Sequence, residues 1–368
     1  PILMIKRAAL GTTLERLAKK MPVRAELNVA LTPVRKDTFN VVARLAAGAP
    51  AAQRLPGVVV VGAHYDHLGY GGRDSLAPDR HEPHVGADDN ASGTAALLET
   101  ARMLAARAGD LRRDVLFVAF SGEESGVLGS THFTRTPPAG VAVADVVAMI
   151  NMDMVGRLRE NRLRVLGTDS GDEWPRLVEL ACAESRLDCA VGGDGFGPSD
   201  QTPFYASGVP VVQLFTGAHG DYHKPSDTAD KINAAGAAQI AQMASALATA
   251  VSALEARLSL KQAPAPAPRG DVRSFNAALG TIPDYAGPPG GQRGVLLAGV
   301  RPGGAAEAGG LHRGDILVRL GTHEIGSVED LMYVLNASRP GERVKALVLR
   351  EGHERELEVT FQESRRAR

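Results

Sequence analysis

The chain has 368 residues, 41 Lys plus Arg against 42 Asp plus Glu, and a formal net charge of −1. That balance withholds the electrostatic driving force a generic nucleic-acid binder or polybasic membrane-surface binder needs. At roughly 150 residues per domain, the length suggests two or three domains. Hydrophobic residues make up 44% and aromatics only 4%, so the cores must be built mainly from Ala, Val and Leu.

The chain opens Pro1-Ile2-Leu3-Met4-Ile5, with neither an initiator Met nor the charged-then-apolar layout of a signal peptide. It reads as a trimmed chain that starts inside a longer precursor. Residues 1–5 read as a strand and 12–20 as a helix. Further on, Val58–Val61, Val115–Phe120, Val146–Ile150 and Val211–Phe215 are continuous apolar runs rich in Val and Ile, the pattern of buried strands. Thr94–Ala106, Glu173–Ser185 and Ala234–Leu258 carry helical spacing. This alternation implies an α/β fold, a mixed, mainly parallel sheet with helices on both faces. The uncharged stretch Ala234–Leu254 is interrupted by Gln239, Gln242, Ser245, Thr249 and Ser252, and reads as a buried amphipathic helix, with no membrane span. Cys182 and Cys189 fit no zinc-ribbon spacing. The plainer reading is two free or buried thiols; the alternative is a local disulfide, which would suit an oxidising compartment. Gln262-Ala-Pro-Ala-Pro-Ala-Pro268 is an extended, semi-rigid spacer because alternating Pro fixes φ and removes donors.

In α/β sheets, sites collect at the carboxyl ends of strands, and here polar clusters follow the apolar runs directly. After Val58–Val61 come Gly62-Ala63-His64-Tyr65-Asp66-His67. Gly86-Ala87-Asp88-Asp89-Asn90-Ala91-Ser92-Gly93 stands immediately ahead of a helix. Val115–Phe120 leads to Ser121-Gly122-Glu123-Glu124, Val146–Ile150 to Asn151-Met152-Asp153-Met154, and Val211–Phe215, after a short loop, to Asp221-Tyr222-His223-Lys224-Pro225. Each cluster alone has an ordinary explanation, such as a helix N-cap at Asp88-Asp89. Together they bring carboxylates to one place, where they repel and are costly to bury unless a cation accounts for them.

These five motifs, in this order over roughly residues 25–258, resemble the co-catalytic zinc exopeptidase family of bacterial leucyl aminopeptidase, aminopeptidase S and the glutamate carboxypeptidases. A related family carries an inserted dimerisation lid, but only 28 residues lie between Glu124 and Asp153, which leaves no room for one. The resemblance implies two zinc ions per chain. His64 and Asp153 would bind one, Glu124 and His223 the other, and Asp89 would bridge both. Three carboxylates against two Zn²⁺ leave one positive charge, which a bridging hydroxide balances. Glu123 would be the general base and then the general acid, Tyr222 a hydrogen-bond donor to the oxyanion, and Asp66 the partner that orients the His64 imidazole. Asp88 would either orient the metal pair or cap the helix, and His81 and His84 would be surface or supporting residues. Ser199–Phe204 matches a substrate-side loop in which many relatives have His where this chain has Gln201. Met154, Phe196 and Phe204 are candidates for a side-chain pocket.

Residues 270–364 resemble a PDZ domain of the circularly permuted bacterial kind. Its carboxylate-binding loop would be Leu279-Gly280-Thr281 within Ala278–Ile282, a short helix lies in Pro302–Leu311, a second helix over Val328–Asn336, and a strand over Val344–Leu349. Such a domain takes an extended C-terminal peptide at a sheet edge; here it would either capture free peptides in that way or pack on the catalytic domain and gate it. Residues 1–21 resemble the tail of a protease-associated domain. The expected layout is therefore 1–21 for that tail, 22–260 for the peptidase, 261–269 for the linker and 270–364 for the PDZ domain. The expected activity is aminopeptidase hydrolysis of peptides with a free N-terminus, in a secreted or periplasmic setting. No motif supplies an Arg for a substrate carboxylate, which argues against a carboxypeptidase. The rivals are a glutaminyl-cyclase-like acyl transferase with one zinc and a non-enzymatic binding protein on the same fold.

Overall fold

The computed structural model describes residues 13–21, 36–72, 75–77, 79–263, 277–283, 288, 292–301, 303–326, 330–331, 334–335 and 338–363. The chain divides into two compact units, Pro1–Asp37 and Thr38–Arg368. In the first, Thr13–Ala18 form a helix, within the expected 12–20 span; the strand expected at Pro1–Ile5 lies outside the described residues.

The second unit contains a seven-stranded sheet in the order β1-β3-β2-β4-β7-β5-β6. Its strands are β1 (Val41–Leu45), β2 (Val58–His64), β3 (Asp114–Phe120), β4 (Val146–Met152), β5 (Arg162–Leu166), β6 (Asp188–Gly192) and β7 (Val211–Phe215). β3, β2, β4 and β7 run parallel. β1 is antiparallel to β3, and the parallel pair β5–β6 joins antiparallel to β7. The sheet is thus mixed and mainly parallel, as the alternation of runs and helices implies.

Strand periodicity explains why both faces are covered. On β2, Val59, Val61 and Ala63 pack among Leu97, Leu104, Val178 and Leu247 from the helices Gly93–Ala106, Trp174–Ser185 and Ala234–Ala253. Val58 and Val60 point the other way, toward Phe133 and Phe204 of the helices Leu128–Arg135 and Gln201–Ala206. Successive side chains of a strand alternate between faces, so a run apolar at every position demands a partner layer on each side.

The helix expected over Ala234–Leu258 ends earlier, at Ala253, because Leu254 takes extended backbone with ψ 128°. Its start is capped by Asn233, whose side-chain oxygen accepts from the Gly236 amide at 2.9 Å. By length and a mean hydropathy of 1.2 this helix passes as a membrane span. It is instead woven into the core through Ile240, Met243, Ala244, Leu247 and Val251. The thiol reading of the cysteines is corrected: Cys182, near the end of one helix, and Cys189, on edge strand β6, form a disulfide with Cα atoms 6.2 Å apart. The tight return from helix to strand, with Arg186 in left-handed backbone, brings them into range.

After residue 263 the Pro/Ala spacer lies outside the described residues. Beyond it, β9 (Thr281–Pro283), β10 (Val295–Val300), β11 (Ile316–Leu320), β12 (His323–Glu324), β13 (Arg343–Arg350) and β14 (His353–Thr360) form an antiparallel sheet ordered β14-β13-β11-β10-β9, with β12 on β11. β8 (Ala277–Ala278) pairs with β15 (Gln362–Glu363). Leu297, Leu317, Leu320, Val348 and Phe361 fill this region's own core. The short helix is Ala305–Ala308. Of the helix expected over Val328–Asn336, residues 330, 331, 334 and 335 are described, and they are helical. In the expected carboxylate loop, Leu279 is buried and Gly280 has φ +79°; Thr281 opens β9, which ends the sheet.

Candidate metal centre

Six of the sequence-predicted side chains converge at the carboxyl ends of the central strands. His64 is the last residue of β2, Asp153 follows β4 directly, and Glu123 and Glu124 lie on the turn after β3. Asp89 sits in an irregular turn, Ala87–Ser92, where its backbone (φ −108°, ψ 90°) departs from helical values before the Gly93–Ala106 helix begins. His223 is on the loop after β7, in left-handed backbone with φ +53°.

Asp89 stands between two histidines. Its Oδ1 is 3.4 Å from His64 Nε2, which is also 3.4 Å from Asp153 Oδ1. Its Oδ2 is 3.2 Å from His223 Nε2, which is 3.1 Å from Glu124 Oε2. Each imidazole nitrogen is thus nearly equidistant from oxygens of two residues, and one N–H cannot point along both lines. Ligand atoms about 2.0–2.1 Å from a tetrahedral zinc are about 3.3–3.4 Å from one another, so the spacing suits a shared ion. Asp153 Oδ1 is buried without a hydrogen-bond partner, an orphan that a cation would satisfy. The donor set, nitrogen and oxygen alone, is that of catalytic zinc. The residues present fit zinc.

Electrostatics point the same way. Burial opposes a proton on His64, yet Asp153 and Asp89 outweigh it and raise the imidazole well above its ordinary value. His223, also against the effect of burial, is raised to about 10 by Asp89 and Glu124. Burial would raise Asp89 and Glu124, but their histidine partners hold both below the ordinary carboxylate range. Two protonated imidazoles stand in for the positive charge these carboxylates require. Glu123 behaves oppositely: burial, reinforced by Asp153, Asp200 and Glu124 against the pull of His64, raises its carboxyl well above the ordinary value.

The surrounding hydrogen bonds refine several expected roles. His64 Nδ1 meets the main-chain oxygen of Asp66 at 3.1 Å, while the Asp66 carboxylate is farther, at 3.8 Å. That carboxylate accepts from the amides of Glu123 at 3.1 Å and Glu124 at 3.3 Å. Asp66 thus orients the imidazole through its backbone and the Glu-Glu turn through its side chain. Asp88 faces away from the centre, accepting from Gly156 N at 2.6 Å and Ser92 Oγ at 2.9 Å and meeting His219 Nε2 at 3.0 Å. The Tyr222 ring stacks on His223 with centroids 3.8 Å apart. Phe204, a pocket candidate, is a core residue packed on Phe120 and Phe133. Phe196 lies against Tyr205, and Met154 is buried. His84 is buried and binds Ser75 Oγ at 2.7 Å, whereas His81 is exposed. Gln201 is buried, where it bonds Asn151 at 3.1 Å and Gln213 at 2.9 Å.

Residues that sequence reasoning passed over complete the support. Asp227 Oδ2 accepts from the amides of Asp88 and Asp89 at 2.8 and 3.1 Å, and its Oδ1 binds Arg157 at 2.7 Å. Asn90 ties its own turn to β4 through Met152 O at 3.0 Å. Asp200 is fully buried, and burial with Asp153 and Asp66 pushes it to about 7 against His64 and Ser130. His67 Nδ1 lies 2.7 Å from Glu124 Oε1.

A mainly parallel sheet carrying a histidine–carboxylate centre at its strand ends defines this as a metal-centred α/β domain. The profile of peptidase family M28 matches residues 40–248, more than half of the chain, and the chain belongs to that family. A PDZ-domain profile matches residues 272–361. The chain is similar to an aminopeptidase of Pseudomonas aeruginosa (strain UCBPP-PA14), 33% identical over 206 residues that span 53% of this chain and 34% of that protein. It is 29% identical over 196 residues to aminopeptidase YwaD of Bacillus subtilis (strain 168), covering 50% of this chain and 39% of the relative. The chain therefore spans only about a third to two-fifths of these relatives' lengths. Among solved structures, a zinc aminopeptidase from Bacillus subtilis aligns at 26% identity and TM-score 0.46, over 58% of this chain and 50% of that one. Porphyromonas gingivalis glutaminyl cyclase aligns at 23% identity and TM-score 0.46, over 56% and 76%.

Proposed function

We propose that this chain is an aminopeptidase that hydrolyses peptides from a free N-terminus with two zinc ions. His64 and Asp153 hold one, Glu124 and His223 the other, and Asp89 serves both. The observation that carries this reading is the near-equal spacing of His64 Nε2 and His223 Nε2 from paired carboxylate oxygens, 3.4 and 3.4 Å on one side, 3.2 and 3.1 Å on the other. Bound there, the ions would supply Lewis-acid polarisation of the scissile carbonyl and a water that loses its proton near neutral pH.

Glu123 is the group that takes that proton on a carboxylate oxygen and returns it to the leaving amine. Its amide is pinned to Asp66 at 3.1 Å, which keeps its backbone in register with Glu124. Tyr222, stacked on His223, brings a phenol to the edge of the centre, where it donates to the developing oxyanion. The aminopeptidase names of the relatives support this substrate class, and the acidic centre suits a cationic N-terminus. In the same reading the PDZ domain takes C-terminal peptides at the Leu279-Gly280-Thr281 loop. The Cys182–Cys189 disulfide accords with a secreted or periplasmic location.

A peptide and its N-acetylated twin test the assignment: only the free amine should be cleaved, and equal cleavage overturns it. Glu123→Gln should lower kcat about 10²–10⁴-fold with both zinc ions retained. A single tightly bound zinc per chain would favour a glutaminyl-cyclase-type acyl transferase instead.

A further inference from the structure

We propose that His67 is a positioning residue of the metal centre, fixing which oxygen of Glu124 faces the ion. This rests on the two-zinc reading above. His67 belongs with His64 and His223 in place but not in geometry. Those two histidines sit almost midway between oxygens of two carboxylates. His67 Nδ1 is instead one-sided, 2.7 Å from Glu124 Oε1 and 3.9 Å from Asp89 Oδ2. A separation of 2.7 Å is a charge-assisted hydrogen bond, well below the roughly 3.3–3.4 Å between two ligands of one tetrahedral zinc. His67 is therefore assigned to holding Glu124, although its ring also lies within ligand range of Asp89 and Glu124 together.

The division of labour on Glu124 is explicit. Oε1 is engaged by His67, and Oε2 lies 3.1 Å from His223 Nε2. With Oε1 occupied, the carboxylate offers the ion one oxygen and cannot swing both toward it. The other ring nitrogen, Nε2, is buried without a hydrogen-bond partner. The ring is also shaped into its place. At Gly86, in left-handed backbone with φ +56°, an added Cβ would fall 2.6 Å from His67 Cγ, so the chain has no side chain where the imidazole lies. The ring meets His223 edge-on, with centroids 5.7 Å apart.

Two variants separate this role from packing. His67→Phe keeps a ring and removes the donor; His67→Asn keeps a donor near the position of Nδ1 and removes most of the ring. Zinc affinity is measured on the metal-free full chain by competition with a chromophoric chelator, and cobalt(II) absorption reports the ligand set. His67→Phe should weaken the Glu124-side ion about 10–100-fold, the usual effect of losing such a partner, and His67→Asn should recover most of it. The cobalt spectrum should keep its intensity in both, because no ligand is lost. Unchanged affinity in His67→Phe, or equal losses in both variants, overturns the proposal. A cobalt spectrum altered equally in both would make His67 a ligand and overturn it as well. Wild-type protein binding one ion would remove the two-zinc reading, yet the Phe-against-Asn contrast still decides His67 for the ion that contacts Glu124. No metal uptake at all would end both.

Discussion

The two halves of the metal centre share a carboxylate but are built differently. On the His64 side the residues belong to the sheet: His64 closes β2, which is paired on both sides by β3 and β4, and Asp153 follows β4 at once. The His64 carbonyl accepts from Thr94 at 2.9 Å, so even the strand end is tied to the helix over it. On the His223 side the residues belong to loops. His223 adopts a left-handed backbone that non-glycine residues seldom take, and its carbonyl is held by the Leu76 amide at 2.9 Å, from a segment almost 150 residues earlier. One half inherits its order from strand pairing. The other is assembled by individual hydrogen bonds, each of which contributes only about 1 kcal/mol net. Elements held this way open more readily than a central strand.

The sharpest test of that contrast is Asp227, where the two halves are joined. Asp227 is fully buried, carries the Asp88 and Asp89 amides on one oxygen and pairs with Arg157 on the other at 2.7 Å. Asp227→Asn should cost about 3–5 kcal/mol, because it leaves a buried guanidinium short of its main charge partner. Denaturant unfolding measures it; a loss below about 1 kcal/mol would mean that the Asp89 turn holds itself. Next in size is metal release. In excess chelator, zinc should leave in two phases, the His223-side ion at least about tenfold faster, and the melting temperature should fall as Asp89, Glu124 and Asp153 lose their counter-charge. A single phase would erase the distinction between the halves.

A third test is pH dependence. The metal-free protein holds the His223 proton to about 10, against an ordinary 6.5. A raised folded-state value gives stability that is fully present below about 6.5 and is lost as pH climbs toward 10. The melting temperature of the metal-free protein should therefore drop across that window, while the zinc-loaded protein, whose imidazoles are neutral ligands, does not follow. Parallel slopes for the two forms would contradict the protonation pattern.

Much of this was legible in the sequence for reasons that can be stated residue by residue. β2 over Val58–Val61 and β4 over Val146–Ile150 are apolar at successive positions, and β7 is broken only by Gln213, because both faces of these strands are covered; that run-length signal is readable from residue order alone. β1, β5 and β6 gave no such signal. Arg44, Arg162, Arg164 and Asp188 interrupt them, and their burial patterns are largely exposed or mixed, as befits strands at or near the sheet margins. The five ligand-type residues were readable through the family their motifs resemble, with His64, Asp89, Glu124 and Asp153 close to an apolar run or a helix start and His223 farther along, on the loop after β7. Their supporters were not. His67 meets Glu124 across 57 residues and Arg157 meets Asp227 across 70, and no local pattern marks such pairs. The disulfide lay between: eight residues of chain permit it, but only the left-handed turn at Arg186 decides it.

Asp89 presents Oδ1 to one histidine and Oδ2 to the other, and this has a thermodynamic corollary. In the two-zinc reading proposed above, a single rotor would serve two binding equilibria, so its torsion would be a variable both ions must agree on. The factor by which the first ion changes the affinity for the second must equal the factor in the reverse order. A substitution beside His64 that turns the Asp89 carboxylate would then also be felt at His223, and the size of that effect would be the coupling between the two positions.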